Sequence, residues 1–132
     1  MEIEESYKGK VVYPELSYKI VGILFDVWRE IGYSHKEKYI QSAIESALKN
    51  NDILFERELK SDLKFKDAKI GIYFLDFLID NKIVLEIKKR DYFSKNDIEQ
   101  VYNYLKTTGL QLGIIAHFTR DGVKFKRVLN LK

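Results

Sequence analysis

Two apolar runs with a short polar break between them dominate the hydropathy pattern of the chain, at residues 72–90. Both runs are rich in β-branched and aromatic residues and meet at Asp80-Asn81, which predicts a β-hairpin. Along the second run, 83–88, every odd position is apolar, whereas the even positions read Val84, Glu86 and Lys88. One face of this strand is therefore expected to lie in the core, and the other to carry charge.

The first run contains a charged residue of its own, Asp76, and the length of the turn decides whether it joins Glu86. A three-residue turn at 80–82 pairs Ile79 with Ile83. That register places Asp76 opposite Glu86, with Cβ atoms about 5 Å apart. A two-residue turn would send the carboxylates to opposite faces, because side chains alternate along a strand. The functional interpretation of these residues therefore predicts the three-residue turn.

Periodicity and capping signals predict the remaining elements. They are helices at about 15–31, 35–49 and from Ser94 to Gly109, an edge strand at 53–65 that turns at Lys66-Asp67, and strands at 111–118 and 123–129. Because a helix connects the hairpin to the next strand, that strand is expected to run parallel to the strand of Glu86. The predicted fold is α/β, a mixed β-sheet flanked by helices in the order ααβββαββ.

The composition indicates one globular domain over residues 1–132, with 1–13 as a peripheral or poorly ordered segment. No apolar run approaches the ~20 residues needed to span a bilayer, and the first residues are acidic and polar, so the cytoplasm is expected. The absence of cysteine excludes disulfides and thiolate metal sites, and two distant histidines argue against zinc. A net charge of +3 is compatible with a polyanionic partner but favours one only weakly.

Charged residues in an apolar hairpin require an explanation, since an unpaired buried charge is costly. Two neighbouring carboxylates, Asp76 and Glu86, would repel unless one took up a proton or a cation lay between them. Mg²⁺ takes oxygen ligands and is commonly held by one or two carboxylates together with substrate phosphate. Lys88 shares a face with Glu86 and could orient or activate a water and stabilise charge on a phosphate. These residues fit metal-dependent hydrolysis of a phosphodiester.

The order of these residues resembles a known family. Asp76, nine intervening residues and then Glu86-Ile87-Lys88 resemble the D…ExK core of the PD-(D/E)xK nuclease superfamily, with Leu75 in place of the name-giving proline. On the next predicted helix, a glutamine and a tyrosine four residues apart resemble the QxxxY pair of its RecB-like branch. The layout from position 16 to position 131 is similar to that of the GxxExxY proteins assigned to the superfamily.

This resemblance implies a restriction-endonuclease-like fold and a nuclease that uses Mg²⁺ or Mn²⁺. The implied site residues are Asp76, Glu86 and the backbone carbonyl of Ile87 as metal ligands, Lys88 as a catalytic residue, and Gln100, Tyr104 and Glu37 as supporting residues. The charge pattern adds Lys88, Lys89 and Arg90 as candidate contacts to nucleic acid, because these basic residues follow directly on the proposed site.

Glu37 has two competing interpretations. With Ser34 it matches a capping box, in which its side chain reaches back to the start of the helix. The resemblance instead makes it a further acidic member of the site. The tyrosine of the family falls three residues after its glutamate, where this chain has Ile40, and the neighbouring Tyr39 is a candidate to supply the hydroxyl.

Other polar residues have a structural interpretation as the favoured one. Glu56 and Glu58 are expected to be solvated or paired with lysines on the edge strand. His117 could be a general base but is expected to be a structural group of a core strand. The basic cluster near the carboxyl end is either a solvated face or a contact to nucleic acid, and it comprises Lys124, Lys126 and Arg127.

The sequence thus predicts a metal-dependent nuclease that cleaves nucleic acid, with DNA favoured over RNA. The alternatives are a catalytically silent nucleic-acid- or protein-binding module on the same fold, or an interaction module whose charges form a structural ion network. No recognition domain is apparent, so sequence specificity is expected to be modest or to come from an unidentified protein partner. A homodimer is compatible with so small a nuclease.

Overall fold

A computed structural model describes residues 2–3 and 12–131 of the chain and confirms the predicted element order. The helices are α1 (Pro14–Ile31), α2 (Glu37–Asn50) and α3 (Lys95–Thr108). The strands are β1 (Glu2–Ile3), β2 (Phe55–Phe65), β3 (Ala68–Ile79), β4 (Ile83–Lys88), β5 (Leu112–Thr119) and β6 (Gly122–Leu129). From α1 onward the order is ααβββαββ, and the two-residue β1 precedes it. Among the described residues, no helix is both long and apolar enough to traverse a lipid bilayer.

One mixed sheet organises the described part of the chain, with its strands in the order β1-β6-β5-β4-β3-β2. The pair β4–β5 is parallel, as the crossover through α3 predicts, and the other neighbours are antiparallel. The central strand β5 is buried along its whole length, because helices cover both faces of the sheet there.

The core consists of two clusters, one on each face of the sheet. The larger cluster joins α1 and α2 to the face that carries Phe77, Leu85 and Ile87. The smaller cluster joins α3 to the opposite face, which carries Val84 and Ile115. Because residues 84 and 85 belong to different clusters, the alternation along β4 follows the predicted parity, with Glu86 on the α3 side.

The turn between β3 and β4 has the predicted length. Ile79 pairs with Ile83, so three residues form the loop. Asp80 and Asn81 both adopt left-handed backbone conformations, with φ of 52° and 55°, which asparagine and aspartate tolerate better than most residues. This confirms the register that places Asp76 and Glu86 opposite each other.

The start of α2 differs from the prediction. The helix begins at Glu37 after Lys36, and no side chain caps it, so the capping box that begins at Ser34 is wrong. The corresponding pattern at α3 is confirmed in part: the hydroxyl of Ser94 accepts hydrogen bonds from the backbone of Asn96 and Asp97, whereas the Asp97 side chain faces Lys88 and Arg90 instead of the Ser94 amide. The prediction of a peripheral or poorly ordered segment at 1–13 concerns residues that lie mostly outside the described part of the chain.

Close packing holds α3 against the centre of the sheet. A Cβ atom added to Gly113 in β5 would lie 2.4 Å from the Cγ1 atom of Val101 in α3. Glycine at this position therefore allows a close approach of helix and strand. The contact joins the middle of α3 to β5, and in the first turn of the helix Asp97 lies near Lys88 at the end of β4.

Candidate active site

The two carboxylates of the hairpin face each other at the point where β3 and β4 separate. The backbone amide of Asp76 donates to the Oε1 atom of Glu86 at 3.0 Å. In return, the amide of Ile87 donates to the Oδ2 atom of Asp76 at 2.7 Å. The regular ladder ends one rung earlier, at Phe77 and Leu85. Where the strands diverge, carboxylate oxygens therefore accept the hydrogen bonds of backbone amides that have no partner in the ladder.

The side-chain alternation of β3 also breaks at this place. Leu75 and Phe77 have the same parity, yet they belong to the core clusters on opposite faces. On the neighbouring strand, Glu58 has a positive φ of 58° between the regular pairs Arg57–Phe77 and Leu59–Leu75. Local irregularity in both strands thus turns the carboxylate of Asp76 toward β4.

Burial and mutual repulsion make the carboxylate pair electrostatically unfavourable in its doubly ionised form. Glu86 is 5% exposed, and its burial together with the nearby charge of Asp76 raises its pKa to about 9. Burial also raises the pKa of Asp76, against the opposing effect of the hydrogen bond from Ile87. Such a pair retains a proton at neutral pH unless a cation takes its place.

A glutamine and an arginine hold the Asp76 carboxylate from the other side. The Nε2 atom of Gln41 donates to the Oδ1 atom of Asp76 at 3.0 Å. Arg57 donates to the Oε1 atom of Gln41 at 3.3 Å and thereby fixes the orientation of the amide. Sequence reasoning missed both residues. Gln41 lies one helical turn after Glu37, so its spacing was the available signal.

Lys88 lies between two acidic side chains. Its Nζ atom is 3.7 Å from the Oε2 atom of Glu86 and 3.8 Å from the Oδ1 atom of Asp97. Arg90 approaches the other oxygen of Asp97 at 3.4 Å. Asp97 is itself buried, at 7% exposure, in the first turn of α3. Sequence reasoning assigned this residue no role at the site.

The donor set is suited to a hard divalent cation, although it is small. Within residues 2–3 and 12–131 no cluster of three or more histidine, aspartate or glutamate residues could hold a metal. Asp76 and Glu86 supply two carboxylates, and Ile87 follows directly with its backbone carbonyl. A divalent charge beside this pair would offset the burial that raises both pKa values and the repulsion that adds to the shift of Glu86. The predicted ligand set remains a prediction.

Glu37 lies within electrostatic range of the pair. Burial raises its pKa, the charge of Lys88 opposes this effect, and the charge of Asp76 adds to it. At the position of the family tyrosine this chain has Ile40, which is fully buried in the larger core cluster and presents no polar group to the carboxylate pair. Tyr39 points away from that cluster and is 53% exposed. Within residues 12–131, the Tyr39 hydroxyl forms no hydrogen bond with Asp76 or Glu86, so it does not take the place that the resemblance implies for a tyrosine at position 40.

Gln100 and Tyr104 lie farther along α3 than Asp97. The backbone carbonyl of Gln100 accepts a hydrogen bond from the Tyr73 hydroxyl at 3.2 Å. Tyr104 packs beside the smaller core cluster, and burial raises its pKa. Within residues 12–131, neither side chain forms a hydrogen bond or ion pair with Lys88. That position in α3 belongs to Asp97.

His117 and the basic residues beside it occupy adjacent strands. His117 is fully buried, stacks on Phe93 at 3.9 Å between ring centroids, and lies in register between Lys88 and Lys124. Burial lowers its pKa, and its enclosed position against Phe93 favours the structural interpretation.

The remaining candidates of the sequence are partly or fully exposed. Lys124 pairs with Asp91 at 2.7 Å. Lys89 and Arg90 are half-buried beside the site, whereas Glu56 and Glu58 are exposed on β2. The basic residues that follow Glu86 are therefore adjacent to the carboxylate pair, and the acidic residues of the edge strand are open to solvent.

Comparisons with known proteins identify a family over most of the chain. A family profile described as "PD-(D/E)XK nuclease superfamily" matches residues 14–128. A search of curated proteins gave no match. A solved structure titled "Crystal structure of SSO0001" is 21% identical with a TM-score of 0.53. The match covers 71% of this chain and 50% of the other, so this chain corresponds to about half of that protein, and the likeness concerns the fold alone.

Proposed function

This chain belongs to the PD-(D/E)XK nuclease superfamily, and on that premise we propose that it hydrolyses phosphodiester bonds of nucleic acid with Mg²⁺ or Mn²⁺ at Asp76, Glu86 and Lys88. The observation that carries the proposal is the carboxylate pair at the point where β3 and β4 diverge. The backbone bonds at 3.0 Å and 2.7 Å hold the two side chains in fixed positions. Fixed oxygen ligands are what a catalytic cation site requires.

In this proposal Asp76, Glu86 and the carbonyl of Ile87 hold the cation. When bound, the cation would act as a Lewis acid toward the phosphate and lower the pKa of a water molecule. Gln41 keeps the Asp76 carboxylate oriented through its hydrogen bond at 3.0 Å. A pair of ligands whose backbone and side-chain partners are already in place loses little entropy on binding.

Lys88 supplies the positive charge of the mechanism. Its ammonium group lies within 3.7 Å of Glu86 and can donate to a phosphate oxygen or to the attacking water. Asp97 balances the charge of Lys88 and limits the positions that its flexible side chain can adopt. Glu37, Gln100 and Tyr104 would support this arrangement from α2 and α3.

Nucleic acid is the substrate class that the superfamily implies. We infer DNA rather than RNA, with the backbone held by Lys88, Lys89 and Arg90 next to the carboxylate pair. The finer assignment to the GxxExxY proteins and the RecB-like branch belongs to this proposal as well. So does a protein partner that would supply sequence specificity.

A catalytically silent binding module is the second candidate. Two observations favour it. Ile40 is buried at the place of the family tyrosine, and within residues 12–131 Lys88 pairs with Glu86 and Asp97 but forms no hydrogen bond with Gln100 or Tyr104. Against it stands the acid pair itself, because carboxylates that face phosphate weaken binding unless a cation intervenes.

Cleavage assays separate these candidates. Labelled single-stranded and duplex DNA and RNA would be incubated with Mg²⁺, Mn²⁺ or EDTA, with Asp76→Ala and Lys88→Ala beside the wild type. We expect metal-dependent cleavage that falls at least about 100-fold in both variants. Asp121→Ala and Lys95→Ala are matched controls on exposed side chains and should retain activity. Absence of cleavage by the wild type, together with absence of Mn²⁺ binding in calorimetry, would leave the binding module.

A further inference from the structure

The outer edge of β2 is the free side of the sheet. β2 is the last strand in the sheet order, and no other strand of the described residues lies beyond it. Charged residues alternate along this edge, and those at 58, 60, 62 and 64 are exposed. A free edge of this length can accept another strand unless its charges prevent the pairing.

The charges of β2 are complementary to themselves in one register. In an antiparallel pair of two β2 strands that is centred on Ser61, Lys60 lies opposite Asp62 of the second copy. In the same register Leu59 lies opposite Leu63. Each of these pairs occurs twice by symmetry. Opposite charges that face each other across strands stabilise the pairing.

We propose that two copies of this chain associate through antiparallel pairing of their β2 edges about Ser61, which merges the two sheets into one. The occupant of the edge is thus a second copy, and the charge pattern of the strand identifies it. The inference rests on the sheet edge alone and holds whether or not the proposed nuclease function does.

Neighbouring registers are unfavourable. A shift of the centre by one residue toward the amino end places Lys60 opposite Lys60 and Glu58 opposite Asp62. A shift of the same size the other way places Asp62 opposite Asp62 and Lys60 opposite Lys64. Like charges in these positions are destabilising. The same residues that permit the register centred on Ser61 therefore oppose open-ended aggregation through this edge.

The shape of β2 limits the pairing to the same segment. The backbone of Glu58 has a positive φ, and the pairing of β2 with β3 changes register between Leu63 and Lys64. The regular part of the strand between these irregularities is Leu59–Leu63, and its middle residue is Ser61. Backbone geometry and charge thus identify the same centre by independent routes.

Exposed apolar side chains flank the proposed contact. Ile72 and Phe74 of β3 pair with Asp62 and Lys60 and are 43% and 58% exposed. Leu63 is 47% exposed on the other face of the hairpin. Within residues 12–131, Lys60 has no ion-pair partner, and Asp62 has only the exposed Lys69 at 3.5 Å. A second copy would cover part of this apolar surface and pair Lys60 with Asp62.

The symmetry has a consequence for the two sites. Antiparallel pairing within one sheet places the two-fold axis perpendicular to the sheet, so equivalent faces of both copies lie on the same side. Asp76 lies one strand in from the edge, next to the position of Glu58. From ordinary strand spacings, the two carboxylate pairs would be roughly 25 Å apart on that side. Both could then face one extended ligand.

Charge exchange tests the register. Analytical ultracentrifugation of the full chain over a range of concentrations should show a dimer, with a dissociation constant in the micromolar range expected for so small an interface. Lys60→Asp places like charges opposite each other twice and should weaken the dimer by about tenfold or more. The double variant Lys60→Asp/Asp62→Lys restores opposite charges and should restore the affinity. Lys95→Asp, on exposed α3 surface, is the matched control and should have no effect.

A cross-link tests the centre. The chain contains no cysteine, so Ser61→Cys and Ser46→Cys each introduce a single thiol. A short bismaleimide should join two copies through position 61 and not through position 46, which lies on α2. A wild type that stays monomeric at all concentrations would overturn the proposal. So would a dimer that Lys60→Asp leaves intact, a double variant that fails to recover, or equal cross-linking at both positions.

Discussion

Asp76 and Glu86 each bind the backbone of the other's strand, Glu86 by accepting from the amide of Asp76 and Asp76 by accepting from the amide of Ile87. The pair therefore stabilises the end of the β3–β4 ladder in addition to presenting oxygen ligands. Because the two carboxylates are also buried and close, their favourable hydrogen bonds coexist with electrostatic repulsion. The balance between these effects depends on protons and cations, which makes it measurable.

The first prediction concerns pH and Glu86. In the absence of metal, the folded protein keeps a proton on this pair up to a pKa of about 9, whereas the ordinary value is 4.5. The folded state thus binds more protons between these values, and its stability falls as the pH rises. The side chain in Glu86→Gln still has an oxygen that can accept from the backbone amide of Asp76, but it cannot ionise. We expect this variant to be more stable than the wild type at pH 8.

Urea unfolding in EDTA at several pH values measures this effect. The free energy difference between Glu86→Gln and the wild type should grow from pH 5 to pH 8, by at most about 1.4 kcal/mol per pH unit. The contribution of His117 is present in both proteins and cancels. Parallel stability curves over this range would contradict the raised pKa of Glu86.

The second prediction concerns divalent cations. A cation that binds only the folded state stabilises it, by about 2.7 kcal/mol at a concentration of 100 times the dissociation constant. Mn²⁺ should therefore raise the unfolding temperature of the wild type at pH 8, where the carboxylate pair is least stable. Asp76→Asn should abolish this rise, whereas the exposed Asp121→Asn should not. An equal rise in all three proteins would place the cation elsewhere.

The third prediction concerns Asp97 as a positioning residue. Asp97→Asn leaves Lys88 and Arg90 without their shared anion, and both are partly exposed, at 20% and 33% of the side chain. We expect a loss of about 1–2 kcal/mol in unfolding free energy, less than for a fully buried pair. In the cleavage assay, kcat should fall by about tenfold with little change in KM, since the substrate contacts remain.

Glu99→Gln is the control for this variant. Glu99 lies on the same helix, is 48% exposed and pairs with Lys95 at 3.9 Å. Removal of such a surface pair should change stability by less than about 0.5 kcal/mol and leave kcat unchanged. If both variants behave alike, Asp97 does not position Lys88.

The fourth prediction concerns the contact of α3 with β5. Gly113→Ala places a methyl group where the Val101 side chain lies, and such overpacking costs about 1–3 kcal/mol. Val101→Ala creates room, so the double variant should recover part of the loss despite its own smaller side chain. A double-mutant cycle in urea measures the coupling between the two positions. Additive effects would show that the helix moves away freely.

Features that depend on neighbouring residues could be predicted from the sequence, whereas contacts between distant residues could not. The parity of β4 and the three-residue turn were predictable, because strand alternation and turn length follow from neighbouring residues. Ser94 caps α3 as predicted, but Asp97 does not complete the capping box, and the box predicted at α2 is wrong, although both segments match the same pattern. The residue at the N-cap of α2 is Lys36, in an extended conformation, and its side chain accepts no hydrogen bond from the helix.

Contacts across the fold could not be predicted in the same way. Gln41 meets Asp76 over a separation of 35 residues, and Asp97 meets Lys88 only because α3 packs on the sheet. Polar side chains on a helix give no sign of which strand end they will face. The family resemblance pointed to Gln100 and Tyr104 on α3, whereas the ion pair with Lys88 comes from Asp97, about one turn nearer the start of that helix.

The hydrogen bonds between the carboxylates and the backbone also bear on how a substrate complex could be captured. An inactive protein is needed to hold uncleaved nucleic acid, and the usual choice is to replace a metal ligand. Here Asp76→Ala would free the amide of Ile87 and loosen the strand ends that shape the cleft. Within residues 12–131, Lys88 forms ion pairs with Glu86 and Asp97 and no hydrogen bond to the backbone. Lys88 is therefore the better position for a variant intended for crystallisation with an intact ligand.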